Sequence, residues 1–206
     1  MTGHDDGDAM PGLMAKGAVL HATLEYLDHR DATLRARVMD RLDAADRAAV
    51  ETLAPTSELP YRLIVALWRA ADDALGAARE GWAEDAGAYS IRARGAQMYG
   101  GILRKKSPHE FLTQSVSLFR LFYHPGDMQV VDEGAGRAVL RLDGFDAVTP
   151  LFCGRQTGGL AAALALAGGD EPVVRHVRCA LEGDAFCEWE LKWKAPRASG
   201  EQGKAG

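Results

Sequence analysis

The sequence has little cysteine, no excess of basic residues and no long hydrophobic run. Its longest apolar stretch, "LAAALALAGG" from Leu160, is too short and too small in its side chains to cross a bilayer. The net charge is −5 and the pI is near 5.7, which argues against general nucleic-acid binding. The acidic start "MTGHDDGDAM" lacks the basic and apolar segments of a secretory signal. We therefore expect a cytoplasmic protein with no membrane span and no nucleic-acid partner.

Familiar catalytic motifs are absent as well. The chain has no GxSxG elbow, no P-loop, no GxGxxG after a strand and no HExxH, and "GRQTGG" is similar to a phosphate loop only in its glycines. Glu188 and Glu190 share one face of a predicted strand, most simply the solvated one. Cys153 paired with a histidine as a nucleophile is an alternative. We expect a protein that is not an enzyme.

The N-terminal half is predicted to be helical. Apolar residues recur at spacings of three and four from Leu20 to Leu42. A further helix is expected after Ser57 as a possible cap, with Pro60 in its first turn and Gly76 at its end. In "SPHEFLTQSVSLFRLFYHPG", Ser107 begins a capping box, which predicts another helix that ends near "HPG".

Beyond this point the hydrophobic period changes from helical to two. One hairpin is predicted around residues 133–136 and a second around residues 182–184, with the helix "CGRQTGGLAAALALAGG" between them. This order predicts an α+β fold, in which helices flank an antiparallel sheet of about four to five strands. We expect a single domain over residues 12–195, with a helical part over 12–87 and a core over 88–195. Disordered tails are expected at residues 1–11 and 196–206.

The three cysteines offer a candidate metal site. Cys179 and Cys187 lie symmetrically about Gly183, so a regular hairpin would place them directly opposite each other, close enough to share a metal ion. His176 would point to the other face unless a bulge intervenes, and Cys153 lies just before a predicted helix. The C-x22-H-x2-C-x7-C spacing is not a common zinc-finger spacing. Buried inert thiols, or a disulfide between Cys179 and Cys187, are the alternatives.

A family resemblance favours the metal. From about Ala88 to Trp193 the chain resembles the 4-vinyl reductase domain family, through "FCGRQTGGLAAALALAGG" and "VRHVRCALEGDAFCEWELKW". That family shares its fold with haem-type nitric oxide sensors and TRAPP subunits. Its phenol-responsive members hold a structural zinc with a C-x22-E-x2-C-x7-C pattern. The resemblance implies zinc ligands at Cys153, His176, Cys179 and Cys187, with histidine in place of glutamate. The whole chain is also similar to a bacterial paralogous family built on this domain.

The resemblance also implies a small apolar or aromatic ligand between the helices and the sheet. The phenol-reading residues of the phenol sensors have no counterpart here, and no histidine has the plainly apolar context of a haem ligand. A sensor would act through a downstream protein partner, and the family implies a homodimer. A TRAPP-like interaction scaffold and an enzyme acting on a tetrapyrrole vinyl group are the alternatives. Five aromatic residues could line the pocket, although aromatic residues at helical spacing also form ordinary core: Trp82, Tyr99, Phe111, Phe119 and Phe122.

Overall fold

The computed structural model describes residues 12–98 and 107–194 and confirms the α+β fold. The tails predicted at 1–11 and 196–206, and the candidate pocket residue Tyr99, lie outside these ranges. Within these ranges the α-helices are α1 (Gly17–Arg30), α2 (Leu34–Met39), α3 (Ala44–Thr52), α4 (Tyr61–Leu75), α5 (Trp82–Met98), α6 (Pro108–Phe122) and α7 (Pro150–Leu166). The strands are β1 (Met14–Lys16), β2 (Glu58–Pro60), β3 (Tyr123–His124), β4 (Asp127–Gly134), β5 (Arg137–Asp143), β6 (Asp170–Arg178) and β7 (Cys187–Lys194). None of the helices in the described ranges combines the length and hydrophobicity needed to cross a bilayer.

The N-terminal half is helical because its apolar residues fall on one side of successive turns. The side chains that set this period are all buried: Leu20, Leu24, Leu27, Leu34, Val38 and Leu42. They join one hydrophobic core with Trp68 of α4 and Trp82 of α5. The helices therefore do not form a separate layer but continue into the core of the C-terminal half.

The start of α4 differs from the prediction. Ser57 does not cap this helix, because its hydroxyl accepts a hydrogen bond from the backbone N–H of Ala54 at 3.2 Å. The segment between Ser57 and the helix pairs with β1 as strand β2, and α4 begins only after Pro60. The predicted end at Gly76 is confirmed, since this residue has a φ of +56°, which glycine adopts without strain.

Two antiparallel sheets organise the rest of the chain. The larger has the strand order β4-β5-β7-β6 and consists of the two predicted hairpins, joined where β5 pairs with β7. The smaller has the order β2-β1-β3. The sequence does not predict this small sheet, because strands of two or three residues are too short to show a period.

Glu188, expected on a solvated face, is in fact buried on β7. Its Oε2 accepts hydrogen bonds from Arg141 Nη2 at 2.9 Å and Nε at 3.1 Å. The same guanidinium lies 3.8 Å from the centroid of the Phe186 ring. Arg178 Nε lies 3.8 Å from Glu188 Oε1, so the buried carboxylate has two cationic neighbours.

Helix α7 contacts α5 directly through its glycines. A Cβ atom added at Gly158 would lie 1.9 Å from the backbone oxygen of Glu84, and one added at Gly87 would lie 2.0 Å from the backbone oxygen of Arg155. Only glycine permits backbones to approach this closely. On its other side α7 contacts β6 and β7, so it lies between α5 and the sheet.

The predicted cap of α6 is confirmed. Ser107 Oγ accepts a hydrogen bond from the backbone N–H of Glu110 at 3.3 Å, and Pro108 occupies the first turn. The helix ends at Phe122 and leads directly into β3. This connection carries α6 across to the small sheet.

Candidate metal centre

Cys153 lies inside the first turn of α7. The helix begins earlier than predicted, because the side chain of Thr149 accepts a hydrogen bond from the backbone N–H of Leu151 at 3.4 Å and Pro150 occupies the first turn. Cys153 is therefore not ahead of the helix, as the sequence predicts, but within it. Its side chain is buried, and α7 lies against β6 and β7.

The hairpin of β6 and β7 places Cys179 and Cys187 opposite each other, as predicted. The last paired residues are Arg178 and Glu188, so the next step along the same register brings the two cysteines together. The backbone N–H of Cys179 donates to Asp184 Oδ2 at 2.8 Å, which closes the turn. Sequence analysis missed Asp184; an acidic residue five positions after a cysteine in a tight turn is the signal that could have found it.

His176 joins the cysteines because the ladder is irregular at this point. The register shifts between His176 and Arg178, which is the bulge that the histidine requires in order to turn to the cysteine side. The imidazole stacks on the indole of Trp189 with ring centroids 4.8 Å apart. Its Nε2 atom is buried and has no hydrogen-bond partner within the described ranges.

The four candidate ligands converge. One ligand atom from each of Cys153, His176, Cys179 and Cys187 lies within 4.8 Å of all the others, and the sulfurs of Cys153 and Cys187 are 4.0 Å apart. In tetrahedral zinc coordination with Zn–S bonds of 2.3 Å, neighbouring sulfurs lie about 3.8 Å apart. The group is therefore close to the size of a tetrahedral metal site.

The cluster concentrates negative charge on sulfur. The pKa of Cys187 is lowered to about 5, first by a hydrogen bond with Cys153 and then by the backbone of Ala180 and by His176. The pKa of Cys153 is raised, because it shares that hydrogen bond, is buried and faces the charges of the other two sulfurs. The charge on Cys187 thus opposes ionisation of Cys153, and a bound cation would remove that opposition.

A threonine connects the centre to the sheet. Thr157 Oγ1 donates to the backbone oxygen of Cys153 at 2.9 Å and accepts a hydrogen bond from Trp189 Nε1 at 3.0 Å. The indole that stacks on His176 is therefore also fixed to the helix that carries Cys153. Sequence analysis missed both residues, although Thr157 one turn after Cys153 is a local signal.

Of the predicted pocket residues, Trp82, Phe111 and Phe119 are buried in the hydrophobic core and Phe122 packs against it. Phe119 lies among core aromatic rings, with its centroid 5.4 Å from that of Phe145. Trp82 belongs to a different group, where it stacks with Tyr26 at 6.4 Å. Phe111 is buried and Phe122 is half-buried on α6.

The space between α4, α6 and α7 is occupied by aromatic side chains. Ring centroids within this group lie between 4.8 and 6.5 Å apart, mostly in edge-to-face arrangements. Such contacts are typical of a close-packed core. The members are Tyr61, Phe119, Tyr123, Phe145 and Phe152.

No known protein-family profile matches the chain, and no curated protein matches it. Solved structures do. An Fe(II) unliganded H-NOX protein from K. algicida matches with a TM-score of 0.66 at 8% identity, over 90% of this chain and 100% of that one. An oxygen-binding H-NOX domain related to soluble guanylate cyclases matches with a TM-score of 0.65 at 11% identity, over 91% of this chain and 100% of that one. A further H-NOX structure, from work on haem distortion, matches with a TM-score of 0.68 at 12% identity, over 91% and 100%.

These matches cover nearly the whole chain at low identity and therefore establish the fold. The predicted relation to the fold of the haem-type nitric oxide sensors is confirmed at that level. Membership of the 4-vinyl reductase family stays a prediction.

Proposed function

We propose that this chain is a non-enzymatic, small-molecule-binding sensor domain in which a structural zinc ion fixes the C-terminal hairpin. Two observations support this: the fold is that of the H-NOX sensors, and four buried or half-buried ligands converge at the junction of α7 with the last hairpin. The convergence of the ligands carries the proposal. We also propose a cytoplasmic protein with a downstream protein partner, a homodimer as the resemblance implies, and treat residues 12–195 as one domain.

The donor set suits zinc in a structural role. Cys153, Cys179, Cys187 and His176 together form a Cys3His group, which is a common closed coordination shell. Four protein ligands leave no open position for substrate or water, so the bound ion would supply cross-linking rather than catalysis. The unpartnered Nε2 of His176 further supports the fit, since a buried imidazole nitrogen without a partner is unfavourable.

The ligand proposed here is not haem, because the described residues do not fit one. Among the histidines within those ranges, His21 Nε2 lies 2.8 Å from the backbone oxygen of Leu53, and His29 stacks on an aromatic ring at the surface. His109 pairs with a glutamate, His124 is exposed, and His176 belongs to the metal cluster. None of them is a buried axial ligand facing an open apolar space. Aromatic side chains rather than a porphyrin occupy the space between α4, α6 and α7.

Native mass spectrometry combined with elemental analysis tests the zinc directly. We expect one zinc per chain in the wild-type protein and none in Cys187→Ser. The matched control is Leu191→Ala, which removes a buried side chain from the same strand. This control is destabilised by about 2–5 kcal/mol through the cavity it leaves, yet its folded fraction should keep the metal. Wild-type protein without zinc, or Cys187→Ser with full zinc, would remove the structural-zinc proposal.

The same spectra separate the sensor from a second candidate, a TRAPP-like interaction scaffold. The filled aromatic group favours the scaffold, as do Val173 and Val177, which are 47% and 43% exposed on edge strand β6. A sensor should retain a small molecule of defined mass or acquire one from cell extract. A scaffold should retain none and should bind a protein through β6, so that Val173→Lys abolishes the complex.

A further inference from the structure

Arg155 is a buried charge without a counterion. It lies on α7 and is only 7% exposed, whereas arginine is almost never fully buried unless it is paired. Within residues 12–98 and 107–194 it forms no ion pair, and its Nη1 atom is buried without a hydrogen-bond partner. Among the described residues its side chain makes one hydrogen bond, from Nη2 to Ser90 Oγ, which is long at 3.5 Å. The buried guanidinium therefore has donors that no described residue satisfies.

Neutral aromatic groups surround this charge. The guanidinium carbon lies 4.9 Å from the ring centroid of Trp68. The hydroxyl groups of Tyr123, Tyr26 and Tyr61 are near enough to interact electrostatically with it. A phenol is uncharged at neutral pH and cannot neutralise an arginine. The site is thus one negative charge short.

The backbone explains how an unpaired arginine is held in the interior. The backbone oxygen of Arg155 lies against Gly87 of α5, where even a methyl group would not fit. Packing of the two helices therefore fixes the position of Arg155 independently of any partner for its side chain. Ser90, one turn further along α5, faces the same guanidinium.

We propose that Arg155 binds the carboxylate of a small organic acid. This names the ligand class of the sensor and rests on the proposed ligand-binding function. The planar guanidinium matches a carboxylate through two parallel hydrogen bonds. A single arginine balances one negative charge, and the surrounding rings offer no second cation, so a monoanion fits better than a phosphate dianion.

Thermal unfolding and calorimetric titration of the full chain test this proposal. The probes are benzoate and acetate, with benzamide as the uncharged match of benzoate and inorganic phosphate as the dianion, all at constant ionic strength. At a concentration of about one hundred times its Kd, benzoate should raise the Tm by about 5–10 °C. Benzamide and phosphate should have no effect. If all four probes leave the Tm unchanged, or if phosphate alone stabilises the protein, the proposal fails.

The matched variants are Arg155→Met and Arg69→Met. Methionine keeps much of the length of arginine without its charge, and Arg69 is exposed on α4, next to Trp68. Arg69→Met should bind benzoate as the wild type does, whereas Arg155→Met should weaken binding at least about tenfold. Without ligand, Arg155→Met should have an equal or higher Tm, because it removes an unpaired buried charge. A lower Tm would assign Arg155 a structural role and overturn the inference.

Failure here is distinguishable from failure of the proposed function. If native spectra show a retained neutral molecule and no carboxylate stabilises the chain, the ligand class is wrong and the sensor proposal stands. If neither binds, the sensor proposal fails as well.

Discussion

Replacement of Gly158 by alanine tests whether the contact between α5 and α7 determines stability. The added Cβ would lie 1.9 Å from the backbone oxygen of Glu84 and 2.8 Å from its Cα, whereas ordinary contact begins at 3.4 Å. The two helices would have to separate locally by about 1.5 Å, the difference between 3.4 and 1.9 Å. Since the opposing atoms belong to backbone, no rotamer change can relieve the clash.

The expected effect follows from two opposing terms. Overpacking of this kind destabilises by about 3 kcal/mol, and alanine in a helix interior regains about 1 kcal/mol over glycine. The net loss of about 2 kcal/mol should lower the Tm by about 4–8 °C for a chain of 206 residues. Urea unfolding followed by circular dichroism measures the same difference as a lower midpoint at unchanged slope.

Gly159 provides the control, because it is the next residue of the same helix. A Cβ there would meet its nearest neighbours, the backbone oxygen of Gly87 and Ile91 Cγ1, at 3.8 Å, which is ordinary contact. Gly159→Ala should therefore be as stable as the wild type, or more stable by up to about 1 kcal/mol. If the two variants shift the Tm in the same direction, helix propensity rather than helix contact governs this region and the reasoning is refuted.

Three further predictions concern charge and metal. Tyr123 has a pKa raised to about 12 from 10.0 by burial, so the folded protein keeps a proton that the unfolded chain has lost between these values. The free energy of unfolding should fall by up to about 3 kcal/mol from pH 10 to 12. Tyr123→Phe should reduce this dependence of stability on pH. The same slope in the variant and the wild type contradicts the prediction. Glu188→Gln should lower the free energy of unfolding in urea by about 1–3 kcal/mol, because Arg141 loses its charged partner. Glu190→Gln, two residues along the strand, should change it by less than about 0.5 kcal/mol. Equal effects of the two substitutions contradict the burial argument. Removal of zinc with a chelator should lower the Tm and readdition should restore it, while a Tm indifferent to the chelator contradicts a structural role.

Local sequence features predicted local structure well. The helical period from Leu20 to Leu42, the cap at Ser107 and the opposition of Cys179 and Cys187 each depend on residues close in the chain, so spacing alone fixes their geometry. The small sheet escaped prediction because its short strands pair across distant parts of the chain, Met14 with both Pro60 and His124.

The metal centre could be predicted from the sequence only in part. Strand alternation indicated that His176 needs a bulge to join the cysteines. Whether the register shifts at this residue depends on how β6 pairs with β7. Cys153 comes from another element, and only the family resemblance connected it with the hairpin. Arg155 was not singled out at all. Its backbone lies against Gly87, a distant residue whose role no local pattern reveals.

Cys153 and Arg155 are two residues apart on α7 and therefore point to nearly opposite sides of one helical turn. A displacement of this turn by an occupant on the arginine side would move a sulfur ligand on the other side by a similar amount. Cobalt substituted for zinc has visible absorption bands that depend on ligand geometry, so the colour of the protein would record events at the opposite face. Movement of this helical turn would therefore change the visible absorption spectrum of the cobalt-substituted protein.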